Sequence, residues 1–284
     1  MIGILVILLG LLLPAVASVR ETARVMHTCN NLRQIALGVQ QLSADRDDQV
    51  RNLPKNSPQL KPLYREQTVF WMLLPYVHGP HIEPGSGATK QQILDYYNPQ
   101  VKIYSDPRDP SLDDEYVQSM KGQFRKTSYV ANVMAFDGFV SLASSVPDGL
   151  SNTLAFTTHY YHCGTDRVTE KFGDIDWGNV IPSPTEGEGG GDRRATFADA
   201  GCRDVVPVRD PVTGKTVPSR PGATFEVRPK VADADARLPQ AFSPRGLQVA
   251  FFDGSVRTVR PSVDPSAFWS AVTPNGSEVA VPFD

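Results

Sequence analysis

Residues 1–19 carry no charged side chain, and no other feature of the sequence constrains the fold as strongly. At ~1.5 Å per residue, a helix of this length reaches roughly 29 Å, close to the thickness of a bilayer's hydrocarbon core. A helix in the core of a soluble protein rarely lacks a polar face so completely. The segment therefore predicts a transmembrane anchor, within which a kink at Pro14 is tolerated because local adjustment satisfies the freed carbonyl.

The sequence after this segment becomes amphipathic. Its apolar positions recur four, three, four and three residues apart, as on one helical face, at Val25, Cys29, Leu32, Ala36 and Val39. We predict one continuous helix, with residues 1–19 as the anchor and residues 20–42 lying against a globular domain. The helix should end near Leu42, because residues 43–48 are polar.

Two observations leave alternatives open at this end of the chain. Ala15-Val16-Ala17 is a small-x-small triplet, and a cleaved secretory signal ends in this way, although no Lys or Arg precedes the apolar run. The nearest basic residues, Arg20 and Arg24, follow the run, and the positive-inside tendency would then place the rest of the chain in the cytoplasm. We favour an uncleaved anchor with an exported domain.

Residues 43–284 predict a β-rich domain cut by many turns, as 24 Pro and 22 Gly indicate. Asp253-Gly254 lies between two β-rich runs and predicts a hairpin with a two-residue turn. Asp148-Gly149 predicts a second turn, before a strand within residues 152–161. Turn chemistry explains these aspartates better than catalysis does. The Gly-rich residues 182–192 predict a surface loop that could divide the domain.

Two clusters offer side chains for metal binding. His159, His162 and Cys163 form H-x-x-H-C, but the surrounding residues favour a strand, on which positions i and i+3 point to opposite faces. The second cluster is acidic and lies in SDPRDPSLDDE, at Asp106, Asp109, Asp113, Asp114 and Glu115. A flexible loop of hard oxygen ligands could bind calcium, but a solvated acidic loop is the simpler interpretation. We assign neither cluster a metal, and no cofactor is predicted.

Other functional classes receive little support from the sequence. It contains no G-x-S-x-G, H-E-x-x-H, P-loop or strand-associated G-x-G-x-x-G motif, so we predict that the protein is not an enzyme. A net charge of -3 gives no reason to expect a nucleic acid partner. Three cysteines permit at most one internal disulfide, and Cys163 with Cys202 is the favoured pair because Cys29 falls on the helix near the membrane.

The N-terminal residues resemble a known family. Residues 2–42, and above all Cys29-Asn30-Asn31-Leu32 with the apolar helix before them, are similar to the prepilin-type, pilin-like proteins greatly expanded in planctomycete bacteria. That family is known mainly as a domain of unknown function and sometimes carries a solute-binding label. A basic leader and a Gly-Phe-Thr-Leu-x-Glu processing motif precede its helix. Neither the leader nor the processing motif stands in this sequence, and a translation start upstream of Met1 would explain why.

The resemblance continues in patches along nearly the whole chain, in the family's order. Four further segments are similar to motifs of the family. Residues 71–76 resemble its W-x-L-L-P-Y segment, and residues 127–132 resemble its T-S-Y-x-x-N segment. Residues 148–153 resemble its D-G-x-S-N-T segment, and residues 252–257 resemble its terminal Asp-Gly segment. The family's terminal motif is His-x9-Asp-Gly, and here Ser243 stands at the His position, so no role of that His is carried over.

The resemblance implies an α+β, pilin-like fold, in which a long N-terminal helix packs on an antiparallel sheet and a further β-rich portion follows. It implies a structural or interaction role in the bacterial envelope, linked to type II secretion-like assemblies. The protein would be a single-pass inner-membrane protein, held by residues 1–19, with most of the chain in the periplasm or at the surface. Lateral assembly with other pilin-like subunits is the expected partnership. The alternative is an anchored solute- or glycan-binding protein, and a hydrolase would need paired carboxylates or Ser, His and Asp in one cleft.

Overall fold

The structure is a computed structural model, and it describes only part of the chain. The described residues are 2–51, 69–78, 87, 89, 101–113, 127–136, 141–164, 168–171, 192–198, 207–209, 216–218, 223–235 and 238–275. Within the first of these ranges, the side chains of residues 2–9, 11 and 46–51 are outside the description. The predicted loop at 182–192 lies almost wholly outside the described residues, and so does any domain division there.

One long helix, α1, dominates the N-terminal part and runs from Ile2–Arg51 through Pro14. The described side chains of residues 12–20 are all exposed, whereas Leu32, Ala36 and Val39 are fully buried. The second half of α1 therefore packs on the body of the protein, and the first half extends beyond it. No helix is both long enough and apolar enough to span a membrane, counting only the described residues.

The prediction that the helix ends near Leu42 is wrong, because α1 continues for about two further turns. Residues 43–51 contain neither Gly nor Pro, so nothing in their sequence breaks a helix. Two of their polar side chains, those of Ser43 and Asp45, also find partners in the body. The Ser43 hydroxyl accepts a hydrogen bond from the Leu142 backbone N–H at 3.0 Å, and Asp45 Oδ2 accepts one from the Tyr76 hydroxyl at 2.7 Å. Ser43 and Asp45 thus connect this part of α1 to the body.

The described part of the chain contains five further helices, and all but the last are short. They are α2 Val69–Met72, α3 Leu74–Val77, α4 Val133–Phe136, α5 Leu142–Ser145 and α6 Pro265–Val272. The Asp264 carboxylate caps α6 by accepting hydrogen bonds from the next two backbone N–H groups, and Pro265 suits the first turn. Phe268 and Trp269 on α6 are buried in the core. Single 3₁₀ turns lie at Lys102–Tyr104, Pro110–Asp113 and Val231–Asp233.

The strands of the described residues form one main sheet and three small ones. The main sheet consists of β1 Tyr129–Asn132, β2 Leu154–Thr158, β6 Thr196–Phe197, β11 Leu247–Phe251 and β12 Val256–Val259. Their order across the sheet is β12–β11–β2–β1–β6. Its first four strands are antiparallel, and β6 is parallel to β1. The fold is therefore α+β, with a long helix against a four-stranded antiparallel sheet, as predicted. The remaining strands are β3 His162–Cys163, β4 Val168–Lys171, β5 Asp192–Arg194, β7 Pro207–Arg209, β8 Thr216–Pro218, β9 Glu226–Val227 and β10 Gln240–Ala241.

The three central strands of the main sheet are buried at every position, so both of its faces are covered. Helix α1 packs against β11, β2 and β12, and α6 packs against β2. Phe156 on β2 lies between two aromatic neighbours, with ring centroids 5.5 Å from Phe70 and 5.4 Å from Phe136. The core thus joins the short helices, the sheet and the second half of α1 into one hydrophobic cluster.

The predicted hairpin is confirmed, but its turn differs from the prediction. Strands β11 and β12 pair with Ala250 opposite Val256, and the Phe251 N–H donates to the Ser255 carbonyl at 2.9 Å. The loop therefore has three residues, and only Gly254, at φ +83°, takes a positive φ. A two-residue type I′ turn would need positive φ at Asp253 as well. The side chain of Asp253 instead accepts a hydrogen bond from the Ser255 N–H at 2.8 Å.

Candidate functional site

The two Asp-Gly loops predicted from the sequence are neighbours in space. The Asp253 N–H donates to the Leu150 carbonyl at 3.0 Å, and the Phe252 N–H donates to the Thr153 carbonyl at 3.3 Å. Gly149 has φ +104°, which glycine adopts without steric cost, and its carbonyl accepts from the Asn152 N–H. The Asp253 carboxylate accepts a hydrogen bond within its own loop, and Asp148 contributes its backbone carbonyl to the other loop by accepting from Asn152 Nδ2 at 2.9 Å.

Helix α1 packs on the hairpin loop. Gln40 Nε2 donates to the Phe252 carbonyl at 2.9 Å, and a Cβ placed on Gly254 would lie 3.2 Å from a methyl carbon of Leu37. Glycine at position 254 thus meets two requirements at once, the positive φ and the close approach of the helix. The terminal motif contributes to the docking of α1.

The Cys29-Asn30-Asn31-Leu32 motif is split between the two faces of α1. Asn30 is exposed, and Cys29 is a half-buried free thiol whose pKa is raised by burial. Leu32 is fully buried, and Asn31 Nδ2 donates to the Tyr129 hydroxyl at 3.1 Å. The motif therefore ties the helix to β1 through one apolar and one polar residue.

The acidic segment differs most from its prediction, because Asp106 and Asp109 are buried rather than solvated. Asp106 Oδ2 accepts hydrogen bonds from the hydroxyls of Thr28 on α1 and of Tyr129 on β1, and Oδ1 accepts one from the Arg108 backbone N–H at 2.9 Å. The side chains of Asp114 and Glu115 lie outside the described residues, as does that of Asp113. We call the buried set around this segment the junction cluster: Thr28, Asp106, Arg108, Asp109, Ser111, Ser128 and Gln248.

Arg108 supplies the positive charge of the junction cluster, and its side chain is only 3% exposed. Its Nη2 donates to the Thr28 hydroxyl at 2.5 Å and to Gln248 Oε1 at 3.2 Å, while Nε lies 3.5 Å from Asp106 Oδ1. The guanidinium carbon also lies 5.6 Å from the centroid of the Phe242 ring. A buried charge needs such partners, because its desolvation is costly.

Asp109 is the second buried carboxylate of the junction cluster, and four donors surround it. Oδ1 accepts from the Ser111 N–H at 3.0 Å and the Ser111 hydroxyl at 2.6 Å; Oδ2 accepts from the Ser128 hydroxyl at 2.8 Å and the Tyr161 N–H at 2.9 Å. Burial raises the pKa of Asp109 to about 6, although all four hydrogen bonds act in the opposite direction. Desolvation is therefore the dominant influence on this carboxyl.

The junction cluster is better suited to joining elements than to binding a cation. The carboxylate oxygens of Asp106 and Asp109 face N–H and O–H donors, whereas calcium needs oxygen ligands turned toward it. The histidines of the H-x-x-H-C motif are both buried. Among the described residues, no group of three or more His, Cys, Asp or Glu side chains is placed to hold a metal ion. The predicted Cys163–Cys202 disulfide lies outside the described residues, because Cys202 does.

The structure does bring a Ser, a His and an Asp together, but not in a cleft. Ser111 donates to Asp109 and accepts from the His162 backbone N–H at 3.3 Å. All three residues are buried, with exposed fractions of 2% or less. A catalytic serine needs a base at its hydroxyl and access for substrate. Here the hydroxyl proton is directed at a carboxylate in the interior, so the arrangement gives no support to hydrolysis.

Sequence reasoning did not identify Thr28, Arg108 or Gln248 as a connected set. A signal did exist for Thr28, which shares the buried face of α1 with Val25 and Leu32 and so placed a polar group toward the body. The partners of that group could not be read from spacing.

No family model matches the chain, and comparison with curated proteins and with solved structures finds no significant similarity. The resemblance to the planctomycete pilin-like family therefore stays a prediction. The functional argument rests on the geometry of α1 and on the junction cluster.

Proposed function

We propose that this protein is a membrane-anchored, pilin-like envelope protein with a structural or interaction role. The observation that carries the proposal is the division of α1 into two halves. Its second half is buried on the sheet, whereas the described side chains of residues 12–20 are all exposed and most of them are apolar. Large exposed apolar side chains on one helix are typical of a segment that is covered by a lipid bilayer or by another protein.

The uncharged run supplies the length that such an anchor needs. Residues 1–19 as a helix span roughly 29 Å, and Arg20, Glu21 and Arg24 follow at once, where the helix would enter the polar interface. In this arrangement the chain crosses the bacterial inner membrane once, and the sheet domain stands in the periplasm or at the cell surface.

The exposed face of α1 also supports lateral assembly with other pilin-like subunits, as in type II secretion-like systems. Exposed apolar residues recur four, three, four and three positions apart, at Leu12, Val16, Val19, Ala23 and Met26. At 3.6 residues per turn this stripe lies roughly opposite the buried stripe that contains Leu32 and Ala36. Because the stripe continues past the charged residues to Met26, lipid alone would not cover all of it.

The first experiment is fractionation of cells of the native source, followed by intact mass and N-terminal sequencing. A membrane-bound form that begins upstream of Met1 with an N-methylated residue supports the anchor and the assembly hypothesis together. A membrane-bound form without such processing supports a simple anchor and opposes assembly. A soluble form that begins at Ser18 contradicts the anchor, because it would identify residues 1–17 as a cleaved signal.

Assembly is tested separately by photo-crosslinking in native membranes. A photoreactive residue at Val19 or Met26, on the exposed stripe, should give dimers of the full chain. The matched control is Arg24, which is equally exposed but lies away from the stripe. Equal yields at all three positions, or no dimer at any of them, would contradict side-by-side packing of α1.

A further inference from the structure

The body of the protein stops covering α1 at a definite residue. The described side chains of residues 12–20 are exposed, and Glu21 is the next residue along the helix and is half-buried, with a side chain 38% exposed. Two turns later Thr28 is fully buried and bonded to Asp106. Glu21 and Thr28 are seven residues apart, so they share one face of the helix. That face looks onto Arg108.

The guanidinium of Arg108 is held in place by separate parts of the chain. Thr28 contributes from α1 and Gln248 from β11, and the guanidinium carbon lies over the Phe242 ring. Nη1 is nevertheless buried without a hydrogen-bond partner among the described residues. A buried charged donor without an acceptor is costly and calls for an explanation. The carboxylate of Glu21 lies close by, with Oε1 4.0 Å from Nη1.

We propose that Glu21 and Arg108 form a latch that holds α1 against the body at the point where the helix leaves it. A change of side-chain rotamer that moves the Glu21 carboxylate by about 1 Å turns the contact into a charge-assisted hydrogen bond of ordinary length. Arg108 is rigid and Glu21 is partly exposed, so the carboxylate is the moving part. The closed latch fixes the direction of the extending helix relative to the sheet domain, and the open latch lets the helix pivot near Thr28.

The latch is independent of what the first half of α1 inserts into. It requires only the two charges and the continuous helix between Glu21 and Thr28. The proposal therefore goes beyond the anchor function, and a soluble form of the protein would not contradict it.

The test measures the direction of the helix in the full chain, purified in a nonionic detergent. Nitroxide labels are introduced through non-natural residues at Val19 on α1 and at Lys102 on the body, both of which are exposed, and distances are measured by pulsed electron paramagnetic resonance. Glu21→Ala removes the acceptor and keeps the helix, because Ala is the best helix former. Glu21→Lys places a like charge against Arg108. Arg24→Ala, at an exposed position on the same turn, is the control.

The wild type and Arg24→Ala should give the same narrow distance distribution. Glu21→Ala should broaden it about twofold, and Glu21→Lys should broaden it further or shift its mean. Raising the salt concentration should move the wild type toward Glu21→Ala, because the carboxylate is partly exposed to screening. If both Glu21 variants keep the wild-type distribution, or if Arg24→Ala broadens it equally, the latch is refuted. Unchanged near-ultraviolet circular dichroism shows that the body remains folded in each variant.

Discussion

Replacement of Asp109 by Asn should abolish a pH dependence that the buried carboxyl imposes on stability. Asp109 is 2% exposed, and its two oxygens face the Ser111 and Tyr161 backbone N–H groups as well as two serine hydroxyls. Serine hydroxyls can rotate to suit an amide, whereas the two backbone donors cannot. In either orientation the Asn side chain turns its NH₂ toward one of these N–H groups, so Asp109→Asn carries a cost that does not vary with pH.

The magnitude follows from the pKa of Asp109, which burial raises from 3.8 to about 6. A rise of roughly two units corresponds to about 3 kcal/mol between the protonation states, to within a factor of about two. Because the folded pKa lies above the unfolded one, this contribution is fully present below about pH 4. It is lost as the pH rises to about 6, since the unfolded state ionises first. The asparagine variant has no such transition.

The assay is denaturant unfolding of the full chain in a nonionic detergent at several pH values between 4 and 7, followed by tryptophan fluorescence. The quantity of interest is the unfolding free energy of the wild type minus that of Asp109→Asn, because contributions from other titrating groups cancel in it. This difference should fall by about 3 kcal/mol from pH 4 to pH 7.

Ser128→Ala provides a matched variant, because it removes one donor that lowers the pKa of Asp109. It should move the loss of stability to higher pH. A difference between wild type and Asp109→Asn that is flat across the range, or that rises with pH, would refute the conclusion that desolvation dominates at this carboxyl.

Three further substitutions and one control test the packing. Gly246→Ala places a Cβ 2.0 Å from the backbone oxygen of Val259 on β12, at a residue whose φ is +130°. This substitution should lower the unfolding free energy by about 3 kcal/mol or more. Gly10→Ala is the control and should cost nothing, because a Cβ there would meet no described atom within 4 Å outside its own stretch of helix. Asn132→Ala removes the Nδ2 donor that reaches the buried carbonyls of Leu154 and Val272 at 2.8 and 2.7 Å. The unfolding free energy should therefore fall by roughly 2–4 kcal/mol. Tyr76→Phe removes only an exposed hydrogen bond to α1 and should cost about 1 kcal/mol or less, which thermal unfolding would resolve from the other two.

The parts of the fold that follow from local pattern were predictable. The four-three spacing on α1 identified the buried face, and Asp253-Gly254 identified the hairpin, because both depend on residues close together in the sequence. Errors arose where tertiary contacts overrode local signals. The helix passes residue 42, where Ser43 and Asp45 form hydrogen bonds with the body, and the three-residue hairpin loop lies where Gly254 closely approaches Leu37 of α1.

The junction cluster was not predictable from the sequence, because its partners are far apart along the chain. Thr28 lies 78 residues from Asp106, and Gln248 lies 140 residues from Arg108. An acidic, Pro-rich segment read alone has the composition of a solvated loop, and nothing within it shows that its charges will be satisfied elsewhere.

A polar residue on the buried face of an amphipathic helix is the one local sign of such a cluster. Thr28 occupies that place on α1. Its hydroxyl reaches the Arg24 carbonyl of its own helix at 3.2 Å, and a buried hydroxyl can also take partners from the body. Asp106 and Arg108 are those partners. Apolar spacing therefore determines which face of α1 packs on the sheet. The junction cluster determines the position along α1 at which the body packs against the helix. Sliding α1 by one turn would preserve much of the apolar contact but would leave Arg108 and Asp106 buried without Thr28. The charged segment thus fixes the register of the helix.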